Sequence, residues 1–248
     1  MKYLKIASML PGAAVAFLFI SCGGNGGGEK SSTDTTAAST DTSAATAKTE
    51  TNTIVTTPQN MMVVTHKVAD YAKWKVAYDG HDSARLADGM HSYVIGRGLD
   101  DSNMVLVALK VDDIAKAKSF AKDPGLKKAM QKGGVMGAPS ISLVTMVFQD
   151  TANIDSKLRA KTMLKVKDWD AWKKSFDSVR QIKSDIGLMT RVYGYDVDDN
   201  HNVTLVSAIT DTAKARAYYN SDLIKQRRAA AGVTGTPQRF MFRIVQRY

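Results

Sequence analysis

Three of the chain's four histidines, His66, His81 and His91, stand in one stretch of its first half. Imidazole titrates nearest neutrality, so such a group could serve acid–base chemistry or hold a metal. No two of the three have the i, i+4 spacing of a helical metal motif, and no carboxylate completes a ligand set, so no metal is expected. His66 alternates with Val64 and Val68, which places it on the helix-facing side of a strand. A second chemistry is suggested by Arg239, Arg243 and Arg247, which alternate near the C-terminus and share one strand face. Guanidinium groups on an inward face would need an anion or carboxylates, whereas on an outer face they would be solvated. Phe240, Phe242 and Ile244 take the opposite face, expected to pack under helices.

The elements that must position these groups are written twice. "VADYAKWK" from Val68 matches "VKDWDAWK" from Val166, an offset of 98 (166 − 68). The same offset aligns Gly89 and Gly96 with Gly187 and Gly194, and "GGVMGAP" with "AGVTGTP"; "NMVLV" meets "NVTLV" after a one-residue adjustment. This is an internal repeat of two copies of roughly 90 residues, each domain-sized. In each copy a β-rich stretch precedes an aspartate, Asp70 or Asp168, placed to accept from the first N–H groups of a helix. Tyr71, Trp74 and Tyr78, like Trp169, Trp172 and Phe176, then fall at spacings of three and four, the core face of that helix. A β-hairpin, a second helix broken near Pro124 and a last strand follow.

Strand, helix, strand, strand, helix, strand is the ferredoxin-like unit, so the fold class is α+β. The order of elements and the "V-x-D-[YW]-x-x-W-K" start resemble the dimeric α/β-barrel superfamily, including antibiotic-biosynthesis-monooxygenase-like domains. That resemblance implies two tandem ferredoxin-like βαββαβ repeats packed sheet to sheet as an intrachain pseudo-dimer, with Tyr93, Ile95, Tyr193 and Tyr195 or their strand neighbours between them. Repeat 1 is expected at 58–150 and repeat 2 at 151–248. The haem-using branches of the superfamily need a ligating histidine, which does not map onto this sequence, so no cofactor is expected.

Comparing the copies points to residues that serve one half only. His66, His81 and His91 are matched by Leu164, Val179 and Met189, while Arg191, Arg239 and Arg243 are matched by Tyr93, Ile141 and Thr145. The ligand-binding candidates are His66, His91, Tyr93, Arg97, Arg191, Tyr193, Arg239 and Arg243, for a small apolar or anionic ligand. The reading favoured at this level is a non-catalytic binding or interaction module. The alternative is a small oxygenase- or isomerase-like enzyme acting on an apolar small molecule. A filled sheet interface would favour the module; a pocket lined by His66 and His91 with a perturbed pKa would favour the enzyme.

The address is read from the other end. Two lysines precede an apolar run, "IASMLPGAAVAFLFIS", residues 6–21. It is short of the roughly 20 apolar residues of a membrane span and has the form of an export signal. It ends at Cys22, the chain's only cysteine, and "FISC" before "GG" resembles a bacterial lipobox. The expectation is a signal at 1–21, lipidation of Cys22 and a Gly/Ser/Thr/Ala-rich tether over 22–57. Acylation of Cys22 would leave the folded part without a thiol, excluding disulfides and cysteine nucleophiles. The chain would sit in the cell envelope, anchored to the outer membrane and facing the periplasm, as a monomer. The net charge of +10 would raise nucleic acid in a cytosolic protein; export argues against such a partner.

Overall fold

The computed structural model describes residues 52–180 and 185–248. The expected signal, Cys22 and the tether up to residue 51 lie outside the described residues.

The repeated phrase does in both copies what its residue types require. The apolar strand β2 (Gln59–Val68) ends before Asp70, whose carboxylate accepts from the Lys73 N–H at 2.8 Å and starts α1 (Tyr71–Asp79). Likewise β6 (Leu158–Val166) ends before Asp168, which accepts from the Ala171 N–H at 2.7 Å and starts α5 (Trp169–Ser178). Such caps satisfy N–H groups that the first helical turn leaves free. Trp74 and Trp172 are then buried, each stacked on the aromatic residue one turn further on, Tyr78 at 5.1 Å and Phe176 at 4.8 Å.

Repeat 1 continues through α2 (Asp82–Ala87), the hairpin β3 (Met90–Gly98) and β4 (Met104–Val111), α3 (Ile114–Phe120), α4 (Pro124–Lys132) and β5 (Val135–Asp150). Repeat 2 continues through β7 (Leu188–Asp196), β8 (Asn202–Ile209), α6 (Thr212–Asn220), α7 (Asp222–Ala230) and β9 (Val233–Arg247). The backbone keeps one offset throughout: Val63 pairs with Ala108 and Lys161 with Val206, so both pairs differ by 98 (161 − 63 and 206 − 108). The one-residue adjustment that letter matching asks for in the hairpin is therefore absent.

The strands run β5-β2-β4-β3-β9-β6-β8-β7, and β7 pairs back onto β5. Each repeat supplies four of these strands, and the antiparallel seams β3–β9 and β5–β7 close them into one eight-stranded barrel. Closure leaves no open edge within the ring. The glycines shared by the copies serve these seams. A Cβ on Gly194 would lie 2.0 Å from the Thr145 carbonyl oxygen, and one on Gly96 2.2 Å from the Phe242 ring.

The helices cover the outside, and the apolar side chains divide accordingly. Met62, Val64, Trp74 and Ile95 pack under the helices of repeat 1, and Trp172, Phe176 and Tyr193 under those of repeat 2. Met61, Val63, Leu106, Phe242 and Ile244 point inward, into the barrel.

Three expectations change here. Residues 52–57 do not belong to a featureless tether: β1 (Ile54–Val55) pairs with β5, continuing the line of β2 along that strand. The folded part thus begins before residue 58. Second, Ile95, Tyr193 and Tyr195 lie on the helix side, not between the sheets. The seam strands β3 and β7 each carry a bulge, at Tyr93 between Ser92 and Val94 and at Arg191 between Thr190 and Val192. One extra residue reverses the alternation beyond it, so Val94 and Val192 face inward and their successors outward. Third, Phe240, Phe242 and Ile244 line the barrel and not the helices, which puts Arg239 and Arg243 on the outer face.

Candidate functional site

Inside the barrel lies a cavity of about 540 Å³, within the range of small-molecule sites. Its two halves come from the two repeats and differ in character. Repeat 1 contributes Met61, Val63, Tyr93, Leu106 and Ala108; at the same positions repeat 2 contributes Arg159, Lys161, Arg191, Thr204 and Val206. The pseudo-symmetry that builds the barrel is broken at its centre. One wall is apolar and the facing wall is cationic.

The cations differ in how they are held. Arg191 is turned inward by its bulge, and its Nη1 meets Asp150 Oδ2 at 3.2 Å while Nη2 donates to the Ala152 carbonyl at 2.5 Å. Asp150 Oδ1 accepts from the Thr53 hydroxyl at 3.0 Å, so one carboxylate binds both the β1 segment and the second repeat. Arg159 is 4% exposed, and its Nη1 donates to the Ser156 and Leu158 carbonyls at 2.8 Å. Burial, then Arg247 and Arg191, push its pKa down to about 10. Lys161 is also 4% exposed, its ammonium has no hydrogen bond or ion pair among the described residues, and its Nζ is not among the fully enclosed polar atoms but opens on the cavity. Burial lowers its pKa as well. A largely buried cation with no protein partner, opening on a cavity, is the kind of group that concentrates at functional sites. Residues 150–157, between the repeats, and Val245, Gln246 and Arg247 also line the cavity.

Tyr93 and Arg191 are the two sequence candidates that reach this chamber. His66 lies on the opposite face of the sheet, in a bulge of β2 between Thr65 and Lys67, its ring 5.5 Å from Trp74. Both ring nitrogens are buried without a partner, and burial lowers its pKa to about 4, so the imidazole is neutral. It lines a cavity of only about 60 Å³ with Tyr78, His81 and Arg85. His91 is not part of that pocket: it is exposed, its Nε2 2.8 Å from Asp112. Arg97 lies 4.3 Å over the Tyr71 ring and donates to the Ser102 carbonyl. Tyr193 is buried under α5, its hydroxyl donating to Asp177 at 2.7 Å, and burial raises its pKa. Arg239 lies 3.5 Å over the Tyr219 ring and Arg243 is exposed, so both face outward. Arg247, beyond a register shift in β9, pairs with Val94 and lines the chamber, so the three arginines do not share one face.

Arg159 and Lys161 are the residues that reading the sequence missed. The signal was present: at the offset of 98 they stand opposite Met61 and Val63, two apolar residues replaced by cations in a strand.

Haem, used by some relatives of this barrel type, does not fit these residues. No histidine lines the central chamber, and the pocket of His66 is far too small for a porphyrin. No group of three or more His, Cys, Asp or Glu residues suited to a metal occurs among the described residues.

No protein-family model matches the chain, and no curated protein sequence does. Solved structures do. A candidate monooxygenase from Fusobacterium nucleatum superposes with a TM-score of 0.52 at 13% identity, covering 76% of this chain and 93% of that one. An anthrone oxidase-like protein gives 0.54 at 11% identity, with 78% and 94% covered. A candidate chlorite dismutase gives 0.50 at 14% identity, with 77% and 96% covered. At these identities the likeness establishes the fold, the dimeric α+β barrel, here formed by two repeats of one chain.

Proposed function

We propose that the chain is a small oxygenase- or isomerase-like enzyme acting on an apolar small molecule, and that its reaction chamber is the interior of the barrel. The observation that carries this reading is the buried, partnerless ammonium of Lys161 facing an apolar wall across a ligand-sized cavity. The non-catalytic module expected from the sequence is thereby corrected. It called for a filled sheet interface, and the interface holds a cavity. The proteins of like fold, moreover, carry the names of a monooxygenase, an anthrone oxidase-like protein and a chlorite dismutase.

Isomerisation and cofactor-independent oxygenation share a first step. A proton leaves a carbon beside a carbonyl, and the electron pair moves to oxygen as an enolate. The cationic wall supplies fixed positive charge near where that oxyanion would form, in a site of low polarity where such charge is most effective. The apolar wall of Met61, Val63 and Leu106 would hold the carbon skeleton. Asp155, at the chamber lining and exposed, is the candidate to take the proton. An oxygenase would then let the enolate react with dioxygen, whereas an isomerase would return the proton at another carbon.

Anthrone, an apolar carbon acid, is a suitable first probe within a panel of ring ketones. The purified chain should accelerate its oxygen uptake or its hydrogen–deuterium exchange, and Lys161→Met should lower that rate at least tenfold. No acceleration with any carbon acid of the panel would refute the reading.

The address belongs to the same proposal. The apolar run ending at Cys22 supports a lipid anchor in the cell envelope, with the barrel as a monomer facing the periplasm.

A further inference from the structure

We infer that the natural occupant of the chamber is an organic anion: an apolar body carrying one carboxylate, with the carboxylate between Lys161 and Arg159. This rests on the chamber reading above and adds the substrate's chemical class.

The first argument is charge. Arg159, Lys161 and Arg191 all enter the chamber from one repeat, and among them only Arg191 has a carboxylate partner. Asp150 is that partner, and its other oxygen is taken by Thr53. The chamber therefore holds cationic charge that the described residues do not balance. Buried charges are found paired, so the missing partner is an anion that arrives with the ligand.

The second is valence. The cations stand on β6, whose backbone N–H groups are engaged in the barrel's ladders. A phosphate, with more oxygens and more charge, is met by backbone donors at loops and helix starts, and the stretch of β6 that carries Lys161 and Arg159 offers none. Here the donors are the three N–H bonds of Lys161, those of Arg159 beyond the two carbonyl contacts, and the Thr204 hydroxyl. That set suits the two oxygens of one carboxylate.

The third is shape. Lys161 and Arg159 are two apart on β6, hence neighbours on one face at roughly 6–7 Å along the strand. The opposite wall is Met61, Val63, Leu106 and Ala108. Only an amphipathic molecule satisfies both walls at once. The same comparison dismisses a purely structural origin for the cations: the first repeat builds the same strands with Met61 and Val63 in their place.

Calorimetric titration of the purified chain with dodecanoate and 2-naphthoate, each against its primary alcohol, tests the inference. The carboxylates should bind at least tenfold more tightly than the alcohols. Lys161→Met should erase that preference while alcohol binding persists, and Lys161→Arg, which keeps the charge, should retain it. Equal binding of acid and alcohol, or a preference that survives Lys161→Met in a folded protein, overturns the inference and leaves the chamber reading standing. Binding of neither class overturns both.

Discussion

Val63 and Lys161 occupy the same position in the two repeats, 98 residues apart (161 − 63), and both face the barrel interior. Val63 pairs with Ala108 and Lys161 with Val206, so the backbone around them is alike. The fold does not call for an ammonium there, since the first repeat does without one. What distinguishes the two positions is the molecule the chamber is built to hold.

Lys161→Val would make the halves alike at this position. Removing a buried, unpaired ammonium should stabilise the protein by roughly 1–3 kcal/mol, while ligand discrimination is lost. A rise in the urea midpoint checks this; a clear fall would mean that the lysine serves the fold.

His66 sets an acid limit. Its pKa is about 4 in the fold against 6.5 when unperturbed, so the unfolded chain takes up the proton first as pH falls. Its contribution is therefore complete above pH 6.5 and is lost as pH falls towards 4, amounting to about 3 kcal/mol. His66→Leu, the residue that repeat 2 carries as Leu164, should remove that part of the acid destabilisation. Denaturant midpoints of both proteins between pH 7 and 4 measure it, and parallel curves would contradict it.

Asp150 and Arg191 join the first repeat to the second at 3.2 Å, both largely buried. Asp150→Ala should cost about 3 kcal/mol, because the guanidinium is left without its partner. Replacing Arg191 by the tyrosine that repeat 1 has at position 93 should recover part of that loss in the double variant. A double-mutant cycle with no coupling would show that the pair does not fasten the seam.

Much of this architecture is legible in the sequence, and the reason is the repetition. The offset of 98, the caps Asp70 and Asp168 and the aromatic stripes of α1 and α5 follow from local rules of helix starts and periodicity. The inward and outward faces were less readable, because they hang on single-residue bulges. The extra residues at Tyr93 and Arg191 reverse the alternation, and this is why Ile95 and Tyr193 pack under helices. No local residue pattern announces those bulges. The Phe240, Phe242 and Ile244 side of β9 was assigned to the helices for a related reason, since which face of that strand meets the chamber depends on how the seams close. Lys161 and Arg159 are a different matter: they stood in plain view in the aligned copies, but a cation in a strand acquires meaning only once the strand is known to line a cavity.

The central claim is that chemistry occurs inside the barrel and not in the small pocket beneath the helices of repeat 1. Ala108 lines the chamber opposite the cationic wall, and His66 lines only the outer pocket. The deciding measurement is turnover of a carbon-acid probe by Ala108→Phe, which places a ring in the chamber, beside His66→Leu, with folding of both checked by circular dichroism. Ala108→Phe should lose at least tenfold in rate while His66→Leu stays within a few-fold of the unaltered chain. A folded Ala108→Phe that keeps its rate, with His66→Leu losing it, would contradict the account.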